Sequence, residues 1–271
     1  MAITSMDGLV NGLIRYPTEL YKDSGTAEAA GVWHTSWYMT GNPGAGAAPS
    51  GGLNGATFTG PVNGQISVPA AVAGLTSYLT RLTASQAGNI GLLRIYDKIW
   101  GNVPVVTTTT GQSVTSPTWP ARDVSASTTG VGVGLAMEVS SATGNGSPIT
   151  NTTVTYTNTA GTGSRTATIA SFPATAVAGT WVPFSLAAGD LGVKSVQTVT
   201  LGTSYVSGAI HVVAYRLIAE IPLTAANIAV DRNFTSLNMP AVWDNSVLFA
   251  AYLPSGTALG VVTGSVGYAQ G

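Results

Sequence analysis

From residue 65 onward the chain is a succession of short runs rich in β-branched and aromatic residues, each closed off by Gly, Pro, Asn or Ser: "SYLTRL", "IGLLRIYDKIW", "VGVGLAMEVSS", "NTTVTYTN", "RTATIASF", "VKSVQTVTLG", "AIHVVAYRLIAEI", "SVLFAAYL" and "LGVVTGSVGY" among them. Runs with this composition and punctuation are strands. Their regular recurrence makes an antiparallel all-β fold the expectation, in the form of a jelly-roll-like β-sandwich. "VGVGLAMEV" shows the period: Val131, Val133, Leu135, Met137 and Val139 share a face that belongs in a core. Gly132, Gly134, Ala136 and Glu138 share the other, small enough for another sheet or chain to approach closely. "TVTYTNTAGTGSRTATI" reads as a hairpin turned over Asn158 to Ser164, and Asp190 is expected to cap a turn.

The ends of the chain are less regular. Met6, Leu9, Leu13 and Ile14 recur at helical spacing behind Ser5 or Asp7, and Pro17 breaks the pattern, which predicts a short N-terminal helix or arm. From Thr224 no clean period appears before the last two strand-like runs. The expected organisation is therefore residues 1–64 as helix, aromatic cluster and Gly/Ala/Pro-rich arm, 65–223 as the β core, and 224–271 as an extension packing on that core.

Charge is the compositional anomaly. Only 8% of residues are charged, with a net charge of −1, where an ordinary soluble domain carries about 25%. There is no basic stripe to neutralise phosphates, so no nucleic-acid partner is expected. No long apolar run is free of charge, and no basic segment leads into an apolar one, so neither a membrane helix nor a secretory signal is expected. A 45% apolar chain with so few charges favours burial of its surface in an assembly, because near-zero charge promotes association.

Catalytic chemistry has little to draw on. The chain has no cysteine and two histidines, His34 and His211, which excludes thiolate chemistry and a three-histidine metal site. Alternation puts His211 with Val213 and Tyr215, the position of a satisfied sheet histidine. Asp97, Asp123 and Glu138 fall where a solvated charge is the ordinary expectation. There is no Gly-x-Ser-x-Gly elbow and no phosphate loop: "GNPGAGAAPSGGLNG", residues 41–55, lacks the Lys and the following helix. No catalytic residue, cofactor or metal is expected, and the chain is read as a non-enzyme.

The functional candidates are the aromatics of "VWHTSWYMT" and the glycine-rich segment after them. Trp33, His34, Trp37 and Tyr38 read as an interface anchor, since Trp joins large area to one donor. Pro43 and Pro49 stiffen a thin, uncharged connector that can lie along a neighbour.

"AAGVWHTSWYMTGNPGAGAAPSGG", "TYTNTAGTGSRTATI" and "VPFSLAAGDLGVKSVQTVTL" together resemble virion structural proteins of tailed bacteriophages. The resemblance implies a non-enzymatic particle component, a head decoration or cement protein, placed in the virion after assembly in the host cytoplasm. Its implied partners are copies of itself, a trimer being one option, and capsid subunits. The alternatives are a tail or fibre adhesion module that binds host glycans through aromatic platforms, and the major capsid protein, whose long spine helix and charged extended loop are not visible here.

Overall fold

A computed structural model describes residues 3–23, 28–257 and 260–271. The described chain is nearly all β and its sheets are antiparallel, as the strand periodicity predicts. In order, the elements begin with α1 (Met6–Gly12), β1 (Thr18–Lys22), β2 (Trp33–Thr35), β3 (Gly41–Asn42), β4 (Ala56–Thr57), β5 (Ser77–Gln86) and β6 (Gly91–Gly101). There follow β7 (Gln112–Ser113), β8 (Val133–Ser141), β9 (Thr152–Asn158), β10 (Arg165–Ile169), β11 (Thr180–Pro183), β12 (Val193–Thr200) and β13 (Ala209–Leu223). The last are β14 (Val230–Asn233), α2 (Phe234–Leu237), β15 (Ala241–Val242), β16 (Leu248–Pro254) and β17 (Val262–Gln270). Leu259, which opens the last expected run, lies outside the described residues.

Two compact units divide the chain, and their borders differ from the expected arm, core and extension. Unit 1 comprises Met1–Ala47, Thr59–Asp97 and Ile218–Gly271; unit 2 comprises Ala48–Phe58 and Lys98–Leu217. The borders fall at Asp97/Lys98 and Leu217/Ile218, inside the long strands β6 and β13. Strand continuity gave no local sign of a boundary there.

In unit 1 one sheet runs β14-β5-β17-β1-β3, with β15 also on β5. The C-terminal β17 lies between β5 and β1, pairing Gln270 with Ser77 at one end of its ladder and Val266 with Thr18 on the other side. Residues 224–271 thus supply β14, β15 and β17 to this sheet and β16 to another. Facing ladders come from β16, which pairs β6 from Leu248↔Asp97 to Pro254↔Gly91 and β2 through Tyr252↔His34. Leu20, Leu79, Leu82, Val262 and Val266 meet Leu93, Ile95, Ile221, Leu248 and Ala250 in the core. The shared pattern of "LLRIYDKIW" and "VAYRLIAEI" has a physical sense: β6 and β13 pair, and Arg94 Nε sits 2.6 Å from Glu220 Oε2.

Unit 2 holds the sheet β10-β9-β12-β7 and the ladder of β8 between β11 and β13. Val133, Leu135, Met137 and Val139 of β8 enter the core with Val154, Tyr156, Val196 and Val199. The β9–β10 hairpin forms as expected, with Gly161 at φ 81° and Asn158 Oδ1 accepting the N–H groups of Ala160 and Thr162. Asp190 ties this hairpin rather than capping its own turn: its carboxylate accepts from Tyr156 Oη, Asn158 Nδ2 and Arg165 Nε.

Helix α1 is shorter than its apolar spacing suggests. The Ser5 hydroxyl accepts the Gly8 N–H, a regular N-cap. Ile14 N–H then bonds Tyr268 O and draws the chain onto β17. Leu9 is buried, whereas Met6, Val10 and Leu13 are 59%, 59% and 50% exposed.

Candidate functional site

The aromatic cluster is distributed between surface and interior. β2 carries Trp33 half-buried, with the Arg94 guanidinium 4.5 Å from the indole centroid. His34 and Trp37 are each 1% exposed. The His34 ring lies 6.3 Å from that of Tyr252 and accepts the Ala29 N–H at Nε2, and burial pushes its pKa down to about 4. Tyr252 donates to the buried Glu28 carboxylate and contacts Met39 Sδ. Trp37 is edge-on to Phe249 and donates its indole N–H to Ala47 O at 2.7 Å.

Of the residues expected to touch a neighbour, His34, Trp37 and Pro49 are therefore enclosed by their own units, while Trp33, Tyr38 and Pro43 remain half-buried. The reason is visible in the glycine-rich segment. A Cβ on Gly46 would stand 2.2 Å from Trp37 Cε2, so only glycine lets the backbone lie against that ring. In unit 2, Trp100 donates to Asn54 O at 3.1 Å, and a Cβ on Gly55 would stand 2.7 Å from its Nε1. Each half of the segment closes over a Trp of its own unit, while most of its residues stay exposed on the outer side.

Charged residues are gathered inside as well. In unit 2, Lys98 and Glu138 are both 0% exposed, with Lys98 Nζ 2.7 and 3.0 Å from the two carboxylate oxygens and 5.0 Å from the Phe58 ring centroid. Desolvation pulls the Lys98 pKa down against the attraction of Glu138. Asp97 and Asp123 are also buried. Asp97 accepts from Ser246 Oγ and the Val247 N–H, and Asp123 organises its loop by accepting from the N–H groups of Ser125, Ser127, Gly130 and Val131. Burial opposes ionisation of Asp123, but the bonds from Ser127, Thr129 and Ser125 hold its carboxyl below the usual range. The expectation of solvated acids fails for Asp97 and Glu138 because the second face of β6 and β8 is covered too, and for Asp123 because its own loop folds around the carboxylate. A period of two tells which residues share a face, not whether a layer lies over it.

His211 is the satisfied sheet histidine its alternation predicts. Its Nδ1 lies 2.9 Å from Asn102 O and its Nε2 2.7 Å from Ser140 Oγ. A neutral ring donates from Nδ1 to the carbonyl and accepts the serine hydroxyl at Nε2. That line of groups is one way to activate a hydroxyl, yet neither cavity described next is lined by Ser140 or His211.

Unit 1 carries an open, strongly apolar groove of about 530 Å³ at the ends of three strands, formed by Ile90, Leu92, Pro222, Leu223, Leu253 and Pro254 with Gly31 at its rim. Unit 2 has a mixed pocket of about 230 Å³ lined by Ser116, Trp119, Thr128, Lys194 and Ser195. Among the described residues no group of three or more His, Asp or Glu side chains is placed to hold a metal ion, and no helix is long and apolar enough to cross a membrane. Comparison with protein-family models, curated proteins and solved structures gives no match.

Proposed function

We propose that the chain is a non-enzymatic structural subunit of a tailed-bacteriophage virion, a head decoration or cement protein that stabilises the lattice by self-association and capsid contacts. In this reading the paired ladders of each unit are the layers of a jelly-roll-like sandwich. One observation carries the assembly reading. The chain has ten Lys and Arg and eleven Asp and Glu, and eight of these (Lys22, Glu28, Asp97, Lys98, Arg122, Asp123, Glu138 and Arg216) are buried. A composition already poor in charge thus leaves its surface to Ser, Thr, Gly and scattered apolar side chains. Such a surface keeps off neither a second copy nor a lattice, and it suits contacts built on area and shape.

The test is quantitative mass spectrometry of purified particles from the phage that encodes the chain. A lattice-like copy number supports a cement role; the copy number of a single ring, or absence from the particle, overturns it. The adhesion reading keeps one specific support, the half-exposed Trp33 beside Arg94 and Glu220. It predicts that Trp33→Ala abolishes glycan binding while leaving incorporation intact.

A further inference from the structure

The mixed pocket of unit 2 lies beside β12, where a neighbouring segment leaves the strand. That segment pairs β12 through Thr198↔Ser113 and Val199↔Gln112 and then stays alongside: the Val114 N–H bonds Gln197 O, and Ser116 Oγ accepts the Val196 N–H. Beyond Pro117 it buries Trp119 against Trp100, with ring centroids 5.7 Å apart. On β12 itself the register passes from Val193↔Asn158 to Ser195↔Thr157, so Lys194 is the extra residue of a β-bulge. Bulges re-aim a side chain and recur beside functional sites. Here Lys194 and Ser195 meet the departing segment around a cavity of about 230 Å³.

The lining is biased towards donors. Ser116 Oγ already accepts the Val196 N–H, and Ser195 Oγ accepts from Gln197 Nε2 at 3.0 Å, which leaves each hydroxyl its hydrogen to give. Lys194 is exposed and makes no ion pair among the described residues, and no carboxylate lines the cavity. Trp119 is 5% exposed, and its Nε1 has no acceptor among the described residues, a state that buried N–H groups rarely keep. The cavity holds several times the roughly 30 Å³ share of one water but falls below the roughly 300–1,000 Å³ of a drug-sized cleft. Its size is that of a single small ring.

We infer that this pocket binds one acidic sugar residue, a hydroxyl-rich ring bearing a carboxylate. The carboxylate sits on Lys194, ring oxygens take the hydrogens of Ser116 and Ser195, and the C–H face of the ring lies along Pro117 and the edge of Trp119. A neutral sugar would leave the ammonium unused, and a bare anion would leave most of the cavity unfilled. Little has to be ordered on binding: Thr128, on the third side, comes from the loop that Asp123 ties through the Ser125, Ser127, Gly130 and Val131 N–H groups. This goes beyond the assembly reading and uses a different unit from Trp33. On a virion subunit such a site would tether the particle to acidic polysaccharide.

Saturation-transfer difference NMR on the purified full chain tests this, with methyl β-glucuronide as the probe and methyl β-glucoside, the same ring without the carboxylate, as its control. One exposed ion pair and a few hydroxyl contacts put the expected Kd of the glucuronide at about 1 mM, weakening as salt is raised. The glucoside should bind about tenfold more weakly, for want of one charge-assisted hydrogen bond. Lys194→Gln should bring the glucuronide down to the affinity of the glucoside, Lys194→Arg should keep it, and Trp33→Ala should change nothing. Lys194 is exposed, so the fold should persist, which near-UV circular dichroism checks. Should Lys194→Gln unfold, Ser195→Ala replaces it, with a loss of about threefold for both sugars. No saturation by about 20 mM, well past the Kd of even a weak site, overturns the proposal. Equal binding of the two sugars, or a glucuronide affinity untouched by Lys194→Gln, does the same. Sodium acetate that displaces the glucuronide at equal concentration also overturns it, by marking a bare-anion site, as does loss of binding in Trp33→Ala, which places the sugar in unit 1. Particle copy number is a separate measurement, so failure here leaves the virion reading to be judged independently.

Discussion

Each unit buries a lysine, and the two do so by different means. In unit 2, Lys98 faces a carboxylate, both partners 0% exposed and 2.7 Å apart. In unit 1, Lys22 is 2% exposed and among the described residues donates to carbonyl oxygens, Met39 O at 3.1 Å and Gly44 O at 3.3 Å. Desolvation lowers both pKa values, that of Lys22 to about 8. Carbonyl dipoles satisfy an ammonium without fixing its charge, so Lys22 can shed its proton and remain hydrogen-bonded. An ion pair makes each charge depend on the other.

The largest effect that separates the two arrangements should come from removing a single partner. Glu138→Ala leaves the Lys98 ammonium buried without its carboxylate, which costs about 3–5 kcal/mol. The double change Lys98→Met with Glu138→Leu should regain most of that loss, since an apolar pair of similar volume replaces a buried ion pair at little cost. Lys22→Met gives up two neutral-acceptor bonds and leaves no charge behind, so a loss of about 1–3 kcal/mol is expected. Urea unfolding midpoints rank the three variants. A Lys22→Met loss equal to that of Glu138→Ala would erase the distinction between the units.

The histidines repeat the contrast. Both ring nitrogens of His211 have partners, whereas His34 Nδ1 has none among the described residues. Burial holds His34 neutral down to about pH 4, against the ordinary 6.5. Between those values the unfolded chain binds more protons, so the stability His34 contributes is complete above pH 6.5 and is lost as the pH falls toward 4. The slope is about 1.4 kcal/mol per pH unit. Unfolding midpoints measured from pH 7 to pH 4 should therefore fall less steeply in His34→Gln than in the unchanged chain; parallel curves would mean that His34 is not the group being titrated.

What the sequence made legible follows from range. Period-two alternation is local, and the inward faces of β8 and the hairpin over Asn158 to Ser164 follow from residues within one short window. The pairing of β17 with β1 and β5 joins residues near 18, 80 and 266, and nothing in those three windows names the others. Burial of Glu138 depends on Lys98, forty positions away. No local signal marked it: Lys98 alternates with Arg94 and Tyr96 on one face of β6, a pattern that reads equally well as a solvated face. Trp37 misled for a related reason. A tryptophan near glycines suits an interface or an interior equally well, and the choice turns on whether the glycines approach its ring.

That choice yields the smallest and most local test. Gly44 and Gly46 stand two residues apart in the same segment of unit 1, and neither has the positive φ that would strain an alanine. A Cβ on Gly44 meets nothing within 4 Å, while on Gly46 it meets the Trp37 ring at 2.2, 2.6 and 2.6 Å, an aromatic wall that cannot swing aside as a flexible chain end does. Gly44→Ala should thus leave thermal stability unchanged or slightly raised by the stiffer unfolded chain. Gly46→Ala should cost about 1–3 kcal/mol, the range of an overpacked core, with a shift in the Trp fluorescence as the ring is displaced. Gly55→Ala tests the counterpart over Trp100 in unit 2, where φ of +70° adds backbone strain to the clash and the loss should exceed that of Gly46→Ala. Equal, negligible losses at 44 and 46 would mean that the segment does not close over Trp37, and the indole would again be available to a neighbouring subunit.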